Sequence, residues 1–289
     1  MPHVRITEVL IPARRGRYAV PSLLAGNLEM VTGFISAAEE TRSPVILAFN
    51  RHVTPDIPIE LGLPMAVCAA QRAAVPVATF LDHGQSLEEV AQAIRLGASS
   101  VMFDGSSLPY EENVRQTREI VRMAHAMGVA VEAELGSIAG SAVEIGDAQP
   151  APTAYFTDPA LAADFVRCTG VDVLAISFGN VHGPYRGEPH LDLERVRAIH
   201  ALVEIPLAMH GGSGLADEMY PPIIASGISK LGYYTAMGMG AVSALRRQLR
   251  EAESATFVYH HVIGAMVRYF RDEAKRVFAL AGCVAQATR

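Results

Sequence analysis

Short apolar runs rich in Val, Ile, Leu and Ala alternate through most of the chain with longer stretches in which apolar residues recur every three or four positions. Runs of four to six apolar residues suit strands buried on both faces. The longer periodic stretches suit amphipathic helices, so the pattern is one of repeated βα units on a parallel sheet. Eight strands are predicted near Tyr18 to Val20, Val45 to Phe49, Val77 to Leu81, Ser100 to Phe103, Val129 to Glu134, Val173 to Ser177, Pro206 to Met209, and Ser229 to Tyr233. Between them the spacing predicts helices such as 86–96, with Leu87, Val90, Ala91 and Ile94 as its stripe, and 110–127. Ser86 followed three residues later by Glu89 reads as a capping box opening the first of these.

Eight such units, with no linker rich in Pro, Gly or Ser between two halves, predict a single (β/α)₈ TIM barrel over residues 1–289; a doubly wound open sheet is the alternative. Two stretches fall outside the repeat. Residues 139–156 form a turn-rich connection, a candidate lid after the fifth strand. A C-terminal helical extension over about 255–282 carries Ile263, Met266, Val267 and Phe270 along one face and is expected to pack on the barrel or on a second subunit.

Composition narrows the function classes. Half of the 289 residues are hydrophobic and 19% are charged, so the whole chain should fold around a sizeable core. A net charge of −6 offers no electrostatic footprint for nucleic acid or for an anionic membrane. The three cysteines, Cys68, Cys168 and Cys283, form no paired motif, which argues against a disulfide framework and for a reducing, cytoplasmic setting. The first ten residues lack a signal-peptide core, and no apolar stretch is long enough to span a bilayer.

The candidate chemistry lies where the predicted strands end. Three apolar runs close on a histidine followed by glycine: Leu81-Asp82-His83-Gly84, Phe178-Gly179-Asn180-Val181-His182-Gly183, and Leu207-Ala208-Met209-His210-Gly211-Gly212. A single histidine at a strand end is ordinarily a hydrogen-bonded loop residue. Three in the same context, if they converge, form a zinc site with an open coordination position, because neutral imidazoles without thiolates favour that metal. Such an ion is a Lewis acid for a ketone oxygen, the role needed when a carbon–carbon bond beside it breaks. Functional side chains of a barrel sit at the C-terminal strand ends, and there fall Asp82, Asp104, Glu132 and Glu134 as well.

Asp82 is a candidate general acid or base for a substrate hydroxyl. Next to His83 on an extended strand it would face the other way, so its reach depends on a sharp turn that Gly84 would permit. Asp104 and Glu134 read equally as metal contacts or as partners in salt bridges and caps. Gly183 and the Gly211-Gly212-Ser213-Gly214 run offer backbone N–H groups to an anion.

These residues carry a resemblance. The chain resembles the zinc-dependent class II fructose-bisphosphate and tagatose-bisphosphate aldolases from about Tyr18 into the terminal helix. It does so through the His83 motif, Val101-Met102-Phe103-Asp104-Gly105-Ser106, Val131-Glu132-Ala133-Glu134-Leu135-Gly136, Ala175-Ile176-Ser177-Phe178-Gly179 leading to His182-Gly183, and His210-Gly211-Gly212-Ser213-Gly214. The resemblance implies a TIM barrel, usually dimeric or tetrameric, that cleaves a ketose (bis)phosphate reversibly to a ketone donor such as dihydroxyacetone phosphate and an aldehyde. By that likeness His83, His182 and His210 bind one catalytic Zn²⁺, and Asp82 moves the hydroxyl proton. Asp104 and Glu134 support those ligands or hold an alternative metal position, and Gly183, Gly211 and Ser213 line a phosphate pocket with a monovalent cation nearby.

The departures bear on the substrate. Where the family carries a Lys-Ile-Asn-Val-x-Thr type of motif, this chain reads Lys230-Leu231-Gly232-Tyr233-Tyr234-Thr235, so Gly232 replaces an asparagine while Thr235 stays. Ser22-Leu23-Leu24 replaces an Ala-Phe-Asn segment, and Asn50-Arg51-His52 replaces a Gly/Ser-rich stretch, leaving Arg51 to meet a phosphate or carboxylate. In the lid the family's carbon-proton base has its match at Ser141-Ala142, and the nearest acid, Glu144, is expected to serve. Three readings follow. The first is a metal-dependent aldolase for sugar phosphates. The second is an aldolase for an unphosphorylated or carboxylated substrate, and the third is a non-catalytic metal-binding barrel subunit, against which the retention of Asp82 beside three histidines argues.

Overall fold

A computed structural model of the chain describes residues 2–138, 155–185, 187–251 and 257–287. Its strands are β1 His3–Val4, β2 Val20–Leu24, β3 Val45–Phe49, β4 Val77–Gly84, β5 Ser100–Phe103, β6 Ala130–Leu135, β7 Val173–Ile176, β8 Leu207–Met209 and β9 Ile228–Tyr233. Its α-helices are α1 Ile6–Gly16, α2 Leu28–Thr41, α3 Ile59–Arg72, α4 Leu87–Arg95, α5 Tyr110–Ala126, α6 Pro159–Thr169, α7 Leu193–Leu202, α8 Tyr220–Ser226, α9 Thr235–Glu251 and α10 Tyr259–Leu280.

Strands β2 to β9 pair in parallel, each with the next, and β9 returns to β2, which closes an eight-stranded barrel ringed by α2 to α9. The open-sheet alternative is thereby removed. Because both faces of such a strand are covered, almost every strand residue is buried, the reason these segments read as unbroken apolar runs. The helix starts follow local chemistry. Ser86 accepts from the Glu89 N–H at the head of α4, and Asn27 and Asp158 do the same work for α2 and α6. Glu89 reaches back one residue further than a capping box requires, to the N–H of Gln85.

Two expectations shift, and one part of the fold is additional to them. The first barrel strand runs Val20–Leu24 rather than ending at Val20: Pro21, which reads as a strand breaker, pairs only with β9, and pairing with β3 starts at Ser22. An additional short strand, β1, pairs with the start of β4, and α1 touches β2, β4 and β9, which places it across the N-terminal end of the barrel. The terminal helix starts at Tyr259 and packs on α2. Its buried face is Phe270, Ala274, Val277 and Phe278, with Phe270 edge-on to Phe34, whereas Ile263, Met266 and Val267 are half-buried. Among the described residues no helix is long and apolar enough to cross a membrane.

Candidate active site

At the C-terminal end of the barrel the three predicted histidines meet. The ring centroids lie 4.6 Å apart for His83 and His210, 5.0 Å for His83 and His182, and 5.8 Å for His182 and His210, each pair edge to face. One nitrogen from each lies within 4.8 Å of the other two, a spacing at which a single ion could bridge them. They come from β4, the loop after β7 and the end of β8, segments about 100 and 30 residues apart that only barrel closure brings together.

A local irregularity brings Asp82 to the same place. Leu81 pairs with Val101 but Gly84 with Phe103, so β4 holds one residue more than β5 over this step, a bulge. His83 sits at its centre with φ of 53°, a left-handed conformation uncommon for a residue with a side chain. The turn therefore occurs at His83, not at Gly84 as the sequence suggests. Glycine follows because a Cβ there would lie 2.7 Å from the Met102 carbonyl oxygen. The bulge breaks the strict alternation of sides, and Asp82 and His83 line one cavity. Asp82 Oδ1 is 4.0 Å from His210 Nδ1, and Asn50 donates its side-chain N–H to Asp82 Oδ2 at 3.1 Å.

Two of these histidines, His83 and His210, have a carboxylate behind them. His83 Nδ1 is 2.6 Å from Asp104 Oδ2, and Asp104 Oδ1 accepts from the N–H and hydroxyl of Ser106. His210 Nε2 is 2.8 Å from Glu132 Oε1. Burial alone would lower the His83 pKa, but Asp82, the bond to Asp104 and the charge of Glu134 raise it to about 9. Burial would raise the carboxyl of Asp104, yet His83 and Ser106 hold it below the usual range. Glu134 is pushed well above that range by burial and by Asp104, and its Oε2 is buried without a hydrogen-bond partner.

These observations test the fit of a cation. Acids that favour the charged form of His83 create a potential that a divalent ion would satisfy, and an orphaned buried carboxylate oxygen is a group a protein retains where a ligand completes it. His83, Asp104 and Glu134 form a second cluster with mutual spacings within 4.8 Å. The donor sets fit zinc: three imidazoles in one cluster, an imidazole and two carboxylates in the other.

The cleft above the histidines, open to solvent at its mouth, spans about 630 Å³. Of the residues expected to hold substrate, Asn50, Gly183, Gly211, Ser213, Gly232 and Thr235 line it. Gly211 has φ of 66°, and a Cβ on it would sit 1.8 Å from the Val181 carbonyl oxygen, so no other residue allows the histidine loops to approach this closely. Arg51 does not join the lining residues. Its Nε lies 3.9 Å from Glu89 Oε1, and it lines a neighbouring hollow with His52 and Pro58 instead of the histidine cavity. The strand before it ends at Phe49, and Asn50 turns inward while the chain turns out. Tyr233 and Tyr234 both border the cavity, but the Tyr233 hydroxyl points away to Arg276 and Glu273. Glu144 and all but the last two residues of the expected lid lie outside the described residues.

The sequence alone assigns no role to three supporting residues, and places a fourth, Glu132, at a strand end without a partner. Asn180 donates its side-chain N–H to the His210 carbonyl and accepts from the Phe178 N–H, tying the loop after β7 to β8. The Tyr185 hydroxyl donates to the Gly211 carbonyl. Glu132 and Lys230 form a buried ion pair under His210. The last two did leave a signal: Lys230 is a lone charge inside an apolar strand, and Glu132 shares another with Glu134.

The chain is similar to known proteins over most of its length. The model for the family described as fructose-bisphosphate aldolase class-II matches residues 4–286. The chain is 40% identical over 235 residues to the uncharacterized protein YdjI of Escherichia coli strain K12, covering 81% of this chain and 83% of that one. It is 38% identical over 250 residues to the fructose-bisphosphate aldolase of Geobacillus stearothermophilus, covering 85% of each. The crystal structure of the YdjI aldolase superposes with a TM-score of 0.88 at 34% identity, over 99% of this chain and all of that one. The fructose-bisphosphate aldolase of Campylobacter jejuni, with a TM-score of 0.79 at 19% identity over 98% of this chain and 96% of that one, shares the fold.

Proposed function

The chain belongs to the class II fructose-bisphosphate aldolase family, and from that membership we propose that it is a zinc-dependent aldolase that reversibly cleaves a ketose (bis)phosphate to a ketone donor, such as dihydroxyacetone phosphate, and an aldehyde. The observation that carries this reading is the meeting of three strand-end imidazoles beside a buried aspartate. In this assignment His83, His182 and His210 hold the ion, whose Lewis acidity would stabilise the negative charge that develops on the donor's ketone oxygen. Asp82 takes the proton from the hydroxyl at the bond to be broken and returns it in the condensation. Burial would raise its pKa, but His83, His210, Lys230 and the Asn50 bond lower it, which keeps it a base. Asn50 orients that carboxylate. Glu144 is assigned the proton on the donor carbon. Gly183, Gly211 and Ser213 are assigned the phosphate, beside the head of α9 where Thr235 sits.

A second reading keeps the carbon–carbon chemistry but changes the substrate to an unphosphorylated or carboxylated one. It is favoured by the cavity wall: among the described residues lining it there is no lysine or arginine, and Gly232 contributes no side chain. One experiment separates the two. Cleavage of fructose and tagatose bisphosphates is compared with cleavage of the unphosphorylated sugars, before and after chelation and zinc return. The first reading expects zinc-restored activity with a preference for bisphosphates of at least about 100-fold, the equivalent of one or two charged hydrogen bonds. Equal or reversed preference favours the second. Activity that survives chelation in a protein shown to be metal-free sinks both.

A further inference from the structure

Beneath the histidines the barrel interior holds a charge pair that does not line the cavity. Glu132 on β6 and Lys230 on β9 are 0% and 1% exposed. Lys230 Nζ lies 2.7 and 2.8 Å from the two carboxylate oxygens of Glu132, and 3.9 Å over the ring of Phe80 on β4. These strands are not neighbours, so the contact crosses the inside of the barrel. Glu132 Oε1, already held by Lys230, is also the atom facing His210 Nε2 at 2.8 Å.

Stability alone is a poor reason for this arrangement. A buried ion pair replaced by apolar side chains of similar volume is often neutral or stabilising, because desolvation offsets the attraction. What apolar side chains could not do is present His210 with an oxygen that only accepts. An acceptor at Nε2 requires the ring hydrogen there and leaves the Nδ1 lone pair toward Asp82 and the cavity. His83 is held the opposite way, with Nδ1 against Asp104 and Nε2 left over. To offer lone pairs to one ion, two rings 4.6 Å apart therefore keep their remaining hydrogens on opposite nitrogens, each held by a carboxylate from a different strand.

We propose that Glu132 and Lys230 are positioning residues that act through His210. Glu132 selects the tautomer that turns Nδ1 to the site, and Lys230 fixes the carboxylate in the orientation that does so. The proposal rests on the reading of His210 as a zinc ligand, and it makes a prediction about the metal-free protein as well.

Two measurements test it on the full chain: histidine tautomers in the metal-free protein, from long-range ¹H–¹⁵N spectra with His210 assigned by its loss in His210→Asn, and zinc affinity by chelator competition. The native protein is expected to show His210 as the Nε2–H tautomer. In Glu132→Gln the ammonium of Lys230 draws the amide oxygen to itself and turns the NH₂ toward Nε2. His210 should switch to Nδ1–H, and zinc affinity should fall about 10- to 100-fold. Glu132→Gln with Lys230→Met frees the amide oxygen for His210, restoring the native tautomer and affinity to within about threefold. Glu132→Met with Lys230→Met keeps an apolar, folded interior but has no acceptor, so the tautomer preference and the affinity are both lost. The two double variants differ only in that acceptor, so they decide the matter even if the single variant fails to fold. Equal zinc affinity and equal tautomers in the two overturn the proposal. A native protein that binds no zinc, yet shows the expected tautomers, overturns the metal reading and leaves the positioning role standing.

Discussion

The two ends of the barrel treat buried polar groups in opposite ways. At the N-terminal end Arg14 on α1 donates to the carbonyls of His200, Val203 and Ile205 and to His200 Nδ1, and His3 meets the Thr79 hydroxyl, which also accepts from the Ser99 N–H. Each donor has its acceptor within the chain. At the C-terminal end His83 is held in a left-handed conformation, Glu134 keeps an unpartnered oxygen, and several nitrogen and oxygen lone pairs converge on one space. The lesson is physical. A polar group satisfied internally adds to stability, whereas one left short of a partner lowers it and is useful only where something else completes it.

Substitutions at the two ends should therefore separate activity from stability. The largest effect is expected for His182→Ala, with a loss of roughly 10³-fold or more in kcat/KM, as several kcal/mol of Lewis-acid stabilisation would imply, and with unfolding free energy changed by less than about 1 kcal/mol. A steady-state cleavage assay beside a urea titration checks both, and a fully active variant would remove the metal assignment. Asp82→Ala comes next, with about 10²- to 10⁴-fold lost from kcat for a missing acid–base group. Metal analysis of the purified variant should still find bound zinc, which sets it apart from the histidine variants.

At the opposite end the signs reverse. Arg14→Ala should leave kcat at the native value while lowering stability by about 2 to 3 kcal/mol, since it strips charged donors from three carbonyls. An equal loss of activity and stability would mean that the ends are not separable. The smallest effect is a pH slope. Burial lowers the His3 pKa from 6.5, and burial with the Arg14 and Arg17 charges lowers that of His200. The unfolded chain then binds protons that the folded one refuses. This part of the stability is intact above pH 6.5 and is lost as pH falls below it toward the lowered folded values. Urea midpoints at pH 7.5 and 5.5, compared between the native protein and His3→Gln, check this: the variant, which cannot titrate there, should lose less stability on acidification than the native protein.

How far the site is legible in the chain depends on the range of the interaction involved. His83, His182 and His210 are legible because a polar residue before glycine, at the end of an apolar run, is a local pattern. The orientation of Asp82 is not, because it depends on a bulge set by the register of β4 against β5. The buried partner of His210 is likewise hidden, since Glu132 and Lys230 lie 98 positions apart and either could have faced outward. Arg51 shows the converse. Its charge fits an anion pocket by composition, but the turn after β3 carries it to Glu89.

By itself, then, the chain determined the βα period, the eight strands to within a few residues, the helix cap at Ser86, and the residue types available for metal and proton chemistry. These follow from short-range physics, the burial of apolar runs and the capping of backbone groups. Tertiary structure alone decided that three distant histidines share one space, and which carboxylate stands behind His83 and which behind His210. Those outcomes depend on closure and strand register, which sum contacts among residues far apart and have no counterpart in any local stretch of sequence.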